Sequence, residues 1–594
     1  MIPGFAPDMA GTTDGSARVA APRRAGRTAQ LRTGASAAEQ AAGLSALAAL
    51  MPPVLDRAPR PDPAPVSPLR PPSHPAPAPS EAPAPSEPPA ARRRVAIPLP
   101  LVVILTVQAV LSARLLHANT AFGDEALYLF AGHLEWAHWL HGARVPAFTT
   151  WFSGSPVIYP PIGALADSVG GLAGARLLSL GFMLAATCLL WGTATRLYGR
   201  RAAFFAAALF AVLGPTLHLG SFATYDPMAL FLMALAAWCA CGGREREGVT
   251  GWMLAAAAAL VLANATKYAS AIFDPVIVLL AVLSAYPRPG GKAALSRGAL
   301  LLACLVCGLA VLFRLGGSWY LIGIGQTTTL RAAGANSAAQ VLADSWDWTG
   351  VVLVAGLAGV VLAAVTSRSR ANLLLIGALA AAGLLAPAEQ ARIHTTVSLN
   401  KHVDFGAWLG AIAAGYAAAR LSEWLRPRRA RALATLCLGA AIIPVAAVGI
   451  GQARSMTNWP GAARLVNFLR PRTDHGGRFL AETDSIPEYY LPRTSWRQWS
   501  NTASITMADG RSQDDNHAPA RYALAIEQHY FSLVVLNFSE TPAMDLSIER
   551  DLSANPDYKL LPPVHWGGAT GGSYVVWQYQ PRRQYRPPGG RGAR

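Results

Sequence analysis

The feature that most restricts this chain is a series of apolar runs, each about 16 to 22 residues long, recurring from "VAIPLPLVVILTVQAVLSARLL" to about residue 451. A helix needs about 20 apolar residues to cross hydrocarbon, where every backbone N–H and C=O must be paired inside the protein. The runs predict membrane-spanning helices starting near residues 95, 172, 202, 224, 250, 269, 295, 348, 371, 405 and 431, eleven in all. Composition agrees, with 52% hydrophobic and 14% charged residues and a mean hydropathy of +0.30. A net charge of +17 is compatible by itself with nucleic-acid binding. The basic residues, however, lie in short loops between the runs and in the N-terminal tail, where membrane topology accounts for them, so no nucleic-acid partner is expected. All six cysteines fall inside apolar runs, which indicates neither a disulfide framework nor structural zinc; Cys304 and Cys307, though spaced C-x-x-C, read as helix packing.

Residues 1–94 are rich in Ala, Pro, Ser and Arg and cannot bury enough apolar surface to fold, so a disordered tail is expected there. With that tail in the cytoplasm, the cytoplasmic loops become "RLYGRR", "GGREREG", "YPRPGGKAALSRG", "TSRSRAN" and "RLSEWLRPRRARA", all of them basic. The opposite loops are poor in Arg and carry the unusual polar residues. The expected architecture is a polytopic α-helical plasma-membrane protein, with a membrane domain over 95–451 and a large first outer loop over 117–171. An extracytoplasmic domain follows over 452–594, where "RFLAET", "FSLVVLNF" and "GSYVVWQYQ" read as strands and "ARYALAIEQHYF" as a helix, which makes a small α/β unit.

The candidate chemistry gathers on the outer side. Asp124 and Glu125, in "FGDEALY", open the first outer loop, and the residues after them repeat apolar side chains at helical spacing, as an interfacial helix would. Adjacent helical residues point about 100° apart, so one of the two acids is expected to be catalytic and its neighbour supporting. The competing reading is that both acids cap that helix. Asp226, in "SFATYDPMALF", is a second candidate acid; an Asp-Pro helix start is the alternative. Only four lysines occur in the chain, and Lys267 in "NATKYAS" and Lys401 in "LNKHVDFG" are both on the outer side, joined by Arg331 and Arg392. Cations at a membrane edge suit a phosphate, with snorkelling as the alternative. His133, His138 and His141 lack metal-ligand spacing.

With "DEALY" after the first span, "YPPIGAL" closing the loop, "TYDPMALF" opening the fourth span and a C-terminal outer domain, the chain resembles the GT-C superfamily of polyprenyl-phosphate-sugar glycosyltransferases. The likeness is to the family 39 protein O-mannosyltransferases and the bacterial lipid A aminoarabinose transferases, and covers about residues 95–450. By that resemblance Asp124 matches the first-loop catalytic acid with Glu125 as partner, Asp226 the second-loop acid, and Lys267 a residue near the lipid phosphate. Tyr159 and Tyr268, within these motifs, are expected among the substrate contacts. Lys401 and His402 extend the set beyond the resemblance. Some superfamily members use a divalent metal and others do not, and the sequence shows no decisive ligand set.

The function implied is transfer of a sugar, with inversion, from a polyprenyl phosphate to an extracytoplasmic hydroxyl on a protein, glycan or lipid. Asp124 would serve as base and the cations would stabilise the departing phosphate. A multi-span transporter and a noncatalytic envelope scaffold are the alternatives. Against the transporter, the sequence shows no convincing internal repeat.

Overall fold

The computed structural model describes residues 98–242, 248–286, 291–331, 333–424, 428–473, 476–503, 505, 518–567 and 571–580. The expected N-terminal tail and the basic C-terminal end lie outside these residues. Helices come first: α1 Leu99–Ala113, α2 Gly123–His141, α3 Tyr159–Tyr198, α4 Arg200–Phe210, α5 Gly214–Leu219, α6 Tyr225–Ala240, α7 Val249–Thr266, α8 Asp274–Leu283, α9 Gly291–Thr327, α10 Ala338–Thr366, α11 Arg370–Ala381, α12 Leu385–Arg392, α13 Leu399–Trp424, α14 Arg428–Ala440 and α15 Ile442–Ser455.

All eleven expected span starts fall on, or within a few residues of, one of these helices. Six helical stretches are long and apolar enough to cross a membrane among the described residues. Three more apolar helices are shorter: α1, α6 and the stretch Tyr268–Leu283. Local chemistry explains the breaks. Gly171, at φ 60°, interrupts α3 between its amphipathic start and its apolar remainder, and Gly199, at φ 87°, turns the chain from α3 into α4. The expected span near 202 divides into α4 and α5, with Pro215 in the first turn of α5.

The helices pack through small residues. A side chain added at Gly415 of α13 would fall 2.3 Å from the Ala202 carbonyl oxygen, and one at Gly359 of α10 would fall 2.5 Å from that of Ala413. Such close approach is how helices associate where lipid supplies no hydrophobic drive. Inside, Trp408 is fully buried and donates its indole N–H to the Ala186 carbonyl at 2.9 Å. Outside, Leu302, Val306, Val354, Leu357, Val361, Leu436 and Ile443 expose an apolar surface that water would not favour.

After α16 (Ala463–Thr473) the chain forms β1 Phe479–Ala481, α17 Ser485–Tyr490, β2 Trp499–Ser500, α18 Pro519–Glu527, β3 Leu533–Leu536, α19 Pro542–Ala554, β4 Tyr558–Leu560, β5 Val564–Trp566 and β6 Gly572–Tyr579. The strands lie in the order β2-β1-β3-β6-β4, with β5 also on β6. The β1 pairings to β2 and β3 are parallel, and every β6 pairing is antiparallel. All four β3 residues are buried, as suits a central strand covered on both faces. Three of the strands and α18 are the segments read as such in the sequence.

Candidate active site

The short segment 119–125 is fastened along its length. The Asn119 amide donates to the carbonyls of Thr457 and Trp459, at 3.1 and 2.7 Å, and the Ala121 N–H donates to the Tyr490 hydroxyl at 2.7 Å. Thr120 accepts the Ala462 N–H at 2.9 Å and, through its carbonyl, the Trp459 indole N–H at 3.1 Å. These contacts hold the start of α2 against the C-terminal part of the chain.

Glu125 is wholly buried and faces away from Asp124's partners. It accepts two hydrogen bonds from Arg176 of α3, at 2.8 and 2.7 Å, and the backbone N–H groups of Phe122 and Ala223, at 3.0 and 2.8 Å. The Phe122 contact caps the start of α2 from the helix's third position, one half of a capping box, since the Phe122 side chain has nothing to accept with in return. The capping reading therefore describes Glu125, while Asp124 does something else. Arg176 directs its remaining N–H groups at the carbonyls of Leu116, Asn119 and Thr120. This arginine was missed in the sequence; an arginine at the head of the long apolar run of α3 was the signal that could have found it.

Asp124 projects to Lys401 near the start of α13, whose ammonium lies 2.6 Å from Oδ2. The lysine side chain is 6% exposed and the aspartate 32%. Asp226, in the first turn of α6, faces Lys267 at the end of α7, Nζ to Oδ1 2.8 Å, with exposures of 0% and 3%. Asp226 is not the cap of its helix: Thr224 holds that position and donates its hydroxyl to Asp226 Oδ2 at 3.1 Å. Two carboxylates and two lysines from four separate segments thus meet in a nearly dry space. His402 lies within electrostatic reach of Lys267, Asp226, Lys401 and Arg331. Arg331 is half-buried and also acts on Tyr225.

Aromatic rings line this group. Tyr128 and Tyr225 pack with ring centres 4.5 Å apart, and Lys267 sits 4.7 Å from the Tyr225 ring. Both tyrosines stand inside the motifs read in the sequence, Tyr128 one turn beyond Asp124, yet neither was singled out. Tyr159 is fully buried in the same aromatic cluster. Tyr268 turns its ring edge-on to Tyr320 at 5.4 Å. Arg392 is elsewhere: it is exposed and forms a bidentate pair with Glu389 at 2.9 and 2.7 Å. His133 binds Asp167 at 2.7 Å, and Asp167 in turn accepts the Tyr489 hydroxyl at 2.6 Å, which ties α2 and α3 to α17. The group does not fit a divalent cation. Both carboxylates already face lysines, and no set of three or more His, Cys, Asp or Glu among the described residues could hold one.

A sequence-family model described as dolichyl-phosphate-mannose-protein mannosyltransferase matches residues 164–313. ArnT of Cupriavidus metallidurans, solved with undecaprenyl phosphate bound, superposes with a TM-score of 0.51 at 17% identity, over 80% of this chain and 97% of that one. The archaeal oligosaccharyltransferase AglB of Archaeoglobus fulgidus, solved with an inhibitory peptide and a dolichol phosphate, gives 0.50 at 12% identity, over 82% of this chain and 75% of that one. No curated protein matches by sequence. The chain has the fold of the GT-C glycosyltransferases, the superfamily its motifs resemble.

Proposed function

We propose that this chain is a membrane glycosyltransferase that moves a sugar from a polyprenyl phosphate to a hydroxyl group presented outside the membrane. The observation that carries the reading is the convergence of Asp124, Lys401, Asp226 and Lys267 at helix ends, all but Asp124 buried. The fold shared with proteins solved holding undecaprenyl phosphate or dolichol phosphate supports a lipid phosphate as the carrier.

The chemistry follows from the charges. The acceptor O–H gives its proton to Asp124, the most exposed of the four groups, as the oxygen bonds to the anomeric carbon. The bond from that carbon to the phosphate oxygen breaks, and its electron pair leaves on the phosphate. Attack from the face opposite the phosphate inverts the anomeric centre. Lys267, Lys401 and Arg331 stabilise the charge gathering on the leaving group, an effect strengthened where water is scarce. Asp226 holds Lys267 in place. Tyr128 and Tyr225 offer ring faces to a sugar or to the first isoprene unit.

This reading takes eleven crossings, with the N-terminal tail cytoplasmic and the C-terminal domain outside. The alternation of basic and Arg-poor loops supports it. Purified protein in nanodiscs, given a labelled polyprenyl-phosphate sugar and membrane extract, is expected to release polyprenyl phosphate and label an acceptor. Asp124→Asn is expected to slow transfer by about 10²- to 10⁴-fold. Undiminished transfer by that variant would remove Asp124 as the base.

A further inference from the structure

We infer that Lys401 serves two partners in turn: it lies on Asp124 in the resting protein and passes to the lipid phosphate as the sugar leaves. The inference rests on the reading that a polyprenyl phosphate is the donor.

Three observations support it. First, the ammonium of Lys401 has three N–H groups, and among the described residues it donates to one acceptor, Asp124 Oδ2 at 2.6 Å. Two N–H groups therefore remain for an incoming oxyanion. Second, the two lysines and two carboxylates balance one another, since each lysine carries its own aspartate within 2.8 Å. A donor phosphate entering here meets no free ammonium. Among the described residues Arg331 forms no ion pair with a carboxylate; it is half-buried and lies within electrostatic reach of His402. These two are suited to receive the phosphate first. Third, Lys401 is 6% exposed while Asp124 is 32% exposed, so the lysine approaches the carboxylate from the protein side and leaves its outer face open to an acceptor.

The charges then determine the order of events. While Lys401 sits on Asp124, Oδ2 occupies one of the lysine's three N–H groups. As the sugar–phosphate bond breaks, the phosphate goes from one negative charge towards two, and the acceptor proton arriving on Asp124 removes its charge. Both changes favour the same displacement of Lys401, which stays protonated throughout. One cation thereby links proton removal at the acceptor to phosphate departure at the donor, and sugar transfer is disfavoured until both substrates are in place.

The test is a binding measurement that needs no turnover. The full chain in nanodiscs is titrated with undecaprenyl phosphate and, separately, with undecaprenol, which lacks the phosphate; thermal unfolding monitors the integrity of each variant. Removing the competing carboxylate charge in Asp124→Asn is expected to tighten undecaprenyl phosphate binding by about 5- to 10-fold, the scale of one net hydrogen bond. Lys401→Met is expected to weaken it by a similar factor. In the Lys401→Met background, Asp124→Asn is expected to change nothing, and undecaprenol binding stays level throughout. A folded Asp124→Asn protein whose phosphate affinity is unchanged or weaker overturns the shared role. Wild-type protein with no phosphate-dependent binding at all overturns the donor reading beneath it.

Discussion

At the scale of single residues, the two neighbouring acids of "FGDEALY" have parted company. Asp124 is partly exposed and faces a lysine across the site; Glu125 is dry and holds Arg176. Breaking a buried ion pair by removing one partner leaves a charge unpaired and costs about 3–5 kcal/mol. Glu125→Gln is therefore expected to lower stability as well as activity, and to lower stability more than Asp124→Asn does, since Asp124 is partly exposed and its amide replacement still offers Lys401 an oxygen. Thermal unfolding beside transfer assays separates the two. The Asp226–Lys267 pair makes the same point in another form. Asp226→Ala alone is expected to destabilise more than the double change Asp226→Leu with Lys267→Met, because the double change leaves no buried charge without a partner. Equal losses in the single and double variants would argue against a buried pair.

At the scale of elements, the site depends on how closely α2 lies on α3. A side chain added at Gly132 would fall 1.9 Å from the Pro160 carbonyl oxygen, so nothing larger than glycine fits this crossing. Gly132→Val is expected to push α2 off α3 and cost on the order of 1–3 kcal/mol, as overpacking does. Its more telling effect would be on activity. Asp124 sits two turns earlier on the same rigid helix, and misplacing a reacting group by about 1 Å can cost on the order of 10²-fold. Transfer by this variant is expected to fall well below the loss its stability alone explains, as a rate assay at a temperature where it remains folded would show.

At the scale of the whole molecule, the C-terminal domain carries its own titration. Glu482 follows β1 and binds the loop after β3, accepting the backbone N–H groups of Asn537 at 3.1 Å, of Ser539 and Thr541 at 2.8 Å, and of Glu540. Around it, burial pushes Asp484 up to about 6 and Asp545 up to about 8, the latter also through the nearby Glu482 carboxylate. Burial likewise lifts Glu488 and Glu540 well above the usual carboxylate range. The folded domain therefore binds protons more tightly than the unfolded chain, whose carboxylates titrate near 4. The stability these protons supply is complete below about pH 4 and is lost as pH rises through 6 and towards 8. The C-terminal domain is expected to resist heat and protease better at pH 5 than at pH 8, and Asp484→Asn with Asp545→Asn is expected to flatten that difference. A domain more stable at pH 8 would reverse the sign and refute the argument.

What the sequence determined by itself follows from local and periodic effects. Apolar run length sets where helices can cross hydrocarbon, so the approximate places of the helices were legible, and short apolar and aromatic runs marked β1, β3 and β6. The acids and Lys267 were legible as well, because a charge beside an apolar run is costly and stands out. Tertiary structure decided what runs and motifs cannot encode, which is who faces whom. Lys401 lies 277 residues from Asp124 in the chain, and Glu125 and Arg176 lie 51 apart. Only the close packing of α2, α3, α6 and α13 turns these separations into distances below 3 Å. Arg392, by contrast, pairs with Glu389 three residues earlier on its own helix α12, a local contact that spends its charge there.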